Sequence, residues 1–143
     1  MTRHTVDETS FELPVGWSLV AIVEGPAEKG ETFRSNLVIT RDRLRPEETI
    51  RTYIDRQFVE LARKLKRVVL RGRREVRVGD VDAHEIRCTW HGTQGPIEQT
   101  LTMVARPDHV LTFTVSVAKG RAEEVLPQFE EMLRTMRWSD RDA

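Results

Sequence analysis

The strict two-residue alternation of two long segments constrains this chain most. Ile97, Gln99, Leu101, Met103 and Ala105 alternate with Glu98, Thr100, Thr102 and Val104. Leu111, Phe113, Val115 and Val117 alternate in the same way with Val110, Thr112, Thr114 and Ser116. Successive side chains of a strand point to opposite faces, so the pattern predicts antiparallel strands with one apolar face against a core. These strands close a four-stranded meander over residues 68–118. Its turns fall at Gly79-Asp80, between His91 and Pro96, and at Pro107-Asp108.

The segments around the meander complete an α+β pattern. Phe11-Glu12-Leu13 reads as a short strand, Trp17 to Glu24 as a second, and Phe33 to Thr40 as a third with Phe33, Ser35, Leu37 and Ile39 on one face. Pro46-Glu47-Glu48 is expected to open a helix, since proline and acids suit a first turn. Ile50, Tyr53, Ile54, Phe58, Leu61 and Leu65 follow at helical spacing, with Arg63, Lys64, Lys66 and Arg67 in the last turn. A second helix is expected over 122–136, regular from Pro127, with Val125, Phe129, Met132, Leu133 and Met136 as its apolar stripe. The order of strands, helix, strands, helix gives an α+β class with a mostly antiparallel sheet. A chain of 143 residues suits one domain. We place that domain at 10–138, between a polar tail over 1–9 and a short tail over 139–143.

Composition narrows the function. Lysine plus arginine and aspartate plus glutamate both number 23, and this balance argues against nucleic-acid binding, which needs a positive excess. The polar start, Met1 to Glu8, has no apolar leader and no lipid-anchor cysteine, so a cytoplasmic protein is expected. The longest apolar run, Leu19 to Val23, is too short to cross a bilayer, so no membrane insertion is expected. Cys88 is the one cysteine, which rules out an internal disulfide.

Signs of catalysis are missing. His84 and Cys88 share a strand face ~13 Å apart, too far to share a metal. Cys88 reads as a small buried hydrophobe. No nucleophile elbow or phosphate-cradling glycine pattern occurs. Asp82, Glu85 and His91 read as a solvated strand. We therefore expect a non-enzyme with no metal and no cofactor. The basic run from Arg63 to Arg77 reads first as a helix end plus a charged edge strand, and second as a patch for an acidic partner.

The second strand is unusual. Leu19, Val20, Ala21, Ile22 and Val23 are apolar on both faces, where a half-exposed strand should alternate. The face of Val20 and Ile22 must be covered by a helix of the same chain or by a partner; the residues leave both open. The corresponding face of the neighbouring strand offers Asn36, Val38 and Thr40. The meander is expected to add Thr100, Thr102, Val104, Thr112, Thr114 and Ser116.

Several motifs carry a family resemblance. Phe11-Glu12-Leu13-Pro14-Val15-Gly16-Trp17 resembles the opening of the DcrB/PsbP-like domain. Leu37-Val38-Ile39-Thr40-Arg41-Asp42-Arg43-Leu44, then Pro46-Glu47-Glu48-Thr49-Ile50 and Tyr53-Ile54-Asp55-Arg56-Gln57, resemble one branch of it. That branch is the effector-associated gene (Eag) chaperones of the type VI secretion system; the stretch from Pro127-Gln128-Phe129 to Trp138 is similar too. The resemblance covers residues 10 to 138. It implies a PsbP-like α/β/α sandwich of six or seven strands and a homodimer. It implies a partner, the N-terminal region of a secreted effector with PAAR and transmembrane segments, shielded in the cytoplasm until loading on the secretion spike. The client face it implies comprises Val20, Ile22, Asn36, Val38, Thr40 and Gln57, together with Leu61, Thr100 and Thr102. The alternative is a stand-alone PsbP-like structural or binding domain with no secretion role.

Overall fold

The computed structural model describes residues 2–6, 9–13, 21–25 and 33–138. Thr2–Val6 (β1) and Thr9–Leu13 (β2) pair as an antiparallel hairpin, so a strand stands within the polar N-terminal stretch. The main sheet has six strands: Ala21–Glu24 (β3), Asn36–Asp42 (β4), Lys66–Val78 (β5), Val81–Gly92 (β6), Gly95–Ala105 (β7) and Val110–Ala118 (β8). Their order is β3-β4-β8-β7-β6-β5, and every neighbouring pair is antiparallel. The four-stranded meander is present as expected, and β4 and β3 extend it beyond β8.

The first helix, α1 (Ile50–Lys64), links β4 near one edge to β5 at the other. It must therefore cross one face of the sheet. Tyr53, Ile54, Phe58 and Leu61 come to one side of it and pack on Ile86, Cys88, Leu101, Met103 and Val110. The helix starts later than Pro46. Thr49 caps it by accepting from the Thr52 N–H at 3.2 Å, while Thr49 N–H donates to Thr52 Oγ1 at 2.9 Å. Pro46 and Glu47 instead form a turn, with Glu47 at a φ of 65°. Lys66 and Arg67 likewise belong to β5 and not to the helix.

The second helix, α2 (Ala122–Arg134), follows a 3-10 turn over Lys119–Arg121 and covers the opposite face. It runs unbroken through Pro127, so its regular part begins at Ala122 and not at the proline. Val125, Phe129 and Leu133 pack on Leu37, Val78, Ala83, Val104, Phe113, Val115 and Val117. The chain then returns to the sheet. Trp138 Nε1 donates to Val78 O at 2.8 Å, its ring meets Phe113 edge-on at 6.5 Å, and the Arg106 guanidinium lies 4.4 Å over it.

Both faces thus carry a helix, in keeping with the α/β/α sandwich that the resemblance implies, whereas the alternation alone predicted one apolar face against a core. The β7–β8 register shows how. It pairs Thr102 with Phe113, Thr100 with Val115 and Val104 with Leu111. The apolar alternations of the two strands therefore point to opposite helices: Leu101 and Met103 toward α1, Phe113 and Val115 toward α2.

Candidate functional site

The α1-side face of the sheet is only partly covered. Across from α1, β8 presents Thr112, Thr114 and Ser116, and the register sets these beside Thr40, Val38 and Asn36 of β4. Val38 in turn faces Ile22 of β3. Ile22 is 63% exposed, the most exposed large apolar side chain described, and Val38, Asn36 and Thr40 are half-buried. The result is a strip open over β3 and β4 that runs up to Thr114 of β8, where Thr112 and Ser116 are already buried; it offers hydroxyls with aliphatic spots.

Where the strip meets α1 it deepens into a cleft of about 300 Å³. Thr40, Tyr53, Gln57, Leu61, Thr112 and Thr114 contribute to its lining, with the charged side chains of Asp42, Glu60 and Lys64 around them. Tyr53 donates its hydroxyl to Asp42 Oδ2 at 3.1 Å. Burial, reinforced by the Asp42 charge, pushes the Tyr53 hydroxyl up to about 12, so it stays a neutral donor near pH 7. Beside the strip, Gln99 Nε2 donates to Ser116 Oγ at 3.0 Å, and Gln99 Oε1 is buried with no partner among the described residues. The approach to α1 is pinned by Arg56, which grips Glu48 with two bonds of 2.8 and 2.9 Å. That guanidinium and the Arg45 N–H hold the Glu48 carboxyl down at about 2.

The sequence-derived set is gathered in part. Ile22, Asn36, Val38 and Thr40 lie on one face, and Gln57 and Leu61 reach the same cleft from α1. Val20 lies outside the described residues. Thr100 and Thr102 are corrected: with Val104 they belong to the α2-side face, opposite Val115, Phe113 and Leu111. Thr102 is buried to 1% exposure there. The alternation of β7 could not reveal this, because either hairpin register satisfies it. Sequence reasoning also missed Tyr53, Asp42 and Gln99 as groups of this face. Gln99 left a signal, a lone amide in the apolar row of Ile97, Leu101 and Met103. Asp42 and Tyr53 left none, being joined by the crossing of α1.

Two groups weighed for chemistry in the sequence take structural places. Glu85, expected on a solvated strand, is buried and bonded to Arg74 at 2.8 Å. Cys88 is buried, and burial alone pushes its thiol up to about 11, the behaviour of a packing residue. Among the described residues no group of three or more His, Cys, Asp and Glu could hold a metal ion, and no helix is long and apolar enough to cross a membrane.

The family model described as DcrB matches residues 8–135. The chain belongs to the DcrB family. Among solved structures, this DcrB-family protein is similar to PA94 of Pseudomonas aeruginosa, a protein of unknown function described as a candidate regulator. The TM-score is 0.78 at 19% identity, over 97% of each chain. It is also similar to the cyanobacterial PsbP of Synechocystis, with a TM-score of 0.53 at 13% identity over 90% of this chain and 86% of that one. The six-stranded antiparallel sheet with a helix on each face is therefore PsbP-like. No curated protein matches the chain.

Proposed function

We propose that this DcrB-family protein is a cytoplasmic chaperone, not an enzyme, that shields a transmembrane segment in the N-terminal, PAAR-bearing region of a type VI secretion effector. The shielding lasts until the effector is loaded on the secretion spike. The observation that carries the reading is the strip over β3 and β4 that runs up to Thr114 of β8, with Ile22 at 63% exposure beside the half-buried Asn36, Val38 and Thr40. Three strands at about 4.8 Å make a strip ~14 Å wide, and a helix with its side chains measures ~10–12 Å across. One helix fits in single file. The seven residues of β4 run for ~23 Å, most of the ~30 Å of a membrane-spanning helix. Ile22, Val38 and Leu61 offer desolvation, while the hydroxyls and amides suit polar groups on a client helix, as between helices within a membrane.

A single strip covers one side of such a helix, so a homodimer with two facing strips is the assembly that encloses it. The motifs shared with the Eag chaperones support the same client and the same assembly. The test is co-expression with the N-terminal region of a PAAR effector encoded in the same genome. A soluble complex that carries the transmembrane segments, built on a chain that scatters light as twice 16.6 kDa, is the expected result. An effector region that aggregates regardless of the chain refutes the reading and favours a binding domain with no secretion role.

A further inference from the structure

The opposite corner of the molecule holds a second feature, apart from the open strip. Gly72 interrupts β5 directly opposite Arg87 of β6. Its missing side chain leaves a depression of about 170 Å³, rimmed by Arg71, Arg73, Arg74, Arg87, Glu98 and Thr100. A Cβ at position 72 would meet nothing within 4 Å, so the gap is open and no neighbour fills it. The four arginines differ in their partners. Arg73 bonds Asp55 at 3.0 Å and Arg74 bonds Glu85 at 2.8 Å. Arg71 donates only to the neutral Thr89 hydroxyl, at 3.2 Å, and Arg87 has no partner among the described residues. Two guanidinium groups therefore look for an anion around a cavity that the sheet backbone floors. Glu98 offsets part of that charge.

β5 is also an edge strand: among the described residues nothing pairs with its outer side. Its pairing with β6 slips on both sides of Val69 and Leu70, which stand 45% and 41% exposed. Lys64, Lys66 and Arg67 continue the positive charge toward the end of α1. An edge with free backbone groups and exposed aliphatic side chains is a template for one more strand. The arginines decide which strand. A second copy of β5 would set like charges against each other. A long polyanion would meet Glu75, Glu85 and Glu98 among the arginines. A short acidic segment escapes the first obstacle and, of those three glutamates, meets Glu98 alone at the depression.

We propose that the outer edge of β5 takes an acidic, extended segment of a partner protein by strand addition, with a carboxylate seated in the Gly72 depression between Arg71 and Arg87. Arginine suits this task because its planar fork donates two parallel bonds to a carboxylate. Gly72 serves by its absence of a side chain, which lets the carboxylate reach the sheet.

The experiment titrates the full-length protein into a labelled, end-capped peptide of alternating valine and glutamate. Saturable binding that weakens with salt is expected. Gly72→Val should lower the affinity about tenfold or more by filling the depression, and its melting temperature should not fall, since the added Cβ meets nothing within 4 Å and valine suits a strand. Arg71→Ala with Arg87→Ala should give a loss of about the same size. Ile22→Asp should leave this binding unchanged, which separates it from the open strip. A peptide N-methylated at alternate backbone positions should fail to bind. Equal affinity for a valine–lysine peptide, indifference to Gly72→Val and to the arginine changes, or tighter capture of duplex DNA or anionic vesicles would each overturn the proposal.

Discussion

Ile22→Asp is the perturbation that tests the client strip most directly. In the free chain Ile22 is 63% exposed, so about a third of its full burial is at stake. Full burial of such a side chain contributes ~1.5–3 kcal/mol, so the loss is ~0.5–1 kcal/mol, with up to ~1 kcal/mol more for the poorer strand propensity of aspartate. At ~2–4 °C per kcal/mol for a domain of this size, melting should fall by roughly 1–8 °C. Phe113→Asp is the contrast. Phe113 is 3% exposed, and truncating such a ring alone costs ~3–5 kcal/mol. An unpaired buried carboxylate adds several more, enough to consume a stability of ~5–15 kcal/mol. With client, Ile22→Asp costs more than it does in the free chain. Ile22→Asp forfeits ~1–2 kcal/mol of apolar contact and forces a carboxylate against an apolar helix, so affinity should fall by more than ~100-fold. The change is best made singly. Val38 is the cross-strand partner of Ile22, and two aspartates there would repel each other for a reason unrelated to the client. The assay is thermal melting alongside co-purification with the effector segment. If Ile22→Asp unfolds as Phe113→Asp does, or folds and still holds the segment, the strip is not the client site.

Three further outcomes follow from local geometry. Thr102 Oγ1 is buried without a partner among the described residues, so Thr102→Val should stabilise the fold by ~1 kcal/mol in chemical denaturation and leave client capture unchanged, because Thr102 faces α2. Gly79 sits at a φ of 60°, and a Cβ there would collide with Met136 O; Gly79→Ala should cost ~1–3 kcal/mol and free the Trp138 contact, read as a change in tryptophan fluorescence. The Glu48 carboxyl is held near 2 in the folded chain against an ordinary 4.5. The stability it contributes is complete above pH 4.5 and is lost as pH falls from there toward 2. Glu48→Gln should therefore flatten the acid limb of a melting-versus-pH curve in that window; an unchanged limb refutes the role of the Arg56 grip.

Local periodicity made most of the architecture legible. The two-residue alternations of 97–105 and 110–118 identified β7 and β8, and the 3.6-residue spacing of Ile50, Tyr53, Ile54, Phe58 and Leu61 identified α1. Glycine and proline placed the three turns of the meander. The exposed apolar side chain of Ile22 was legible too, as one in need of cover, while Leu19 and Val20 of the same run lie outside the described residues. Element ends were less legible: the Thr49–Thr52 capping box displaced the start of α1 from Pro46, and Pro127 did not delay α2.

Only the tertiary structure decided which faces meet. Alternation says that Thr102 and Leu101 point apart, but not which of them shares a side with Thr114. That depends on the β7–β8 register, which a one-residue shift would invert for the whole strand. The same holds for cover. The sequence demanded that something lie over Ile22 and Val38, and the path of α1 from β4 to β5 determined that the chain's own helix shields Leu101 and Met103 and leaves β3 and β4 open. A helix crosses a sheet where its two connecting strands oblige it to, and strand order is a non-local property that no window of sequence contains.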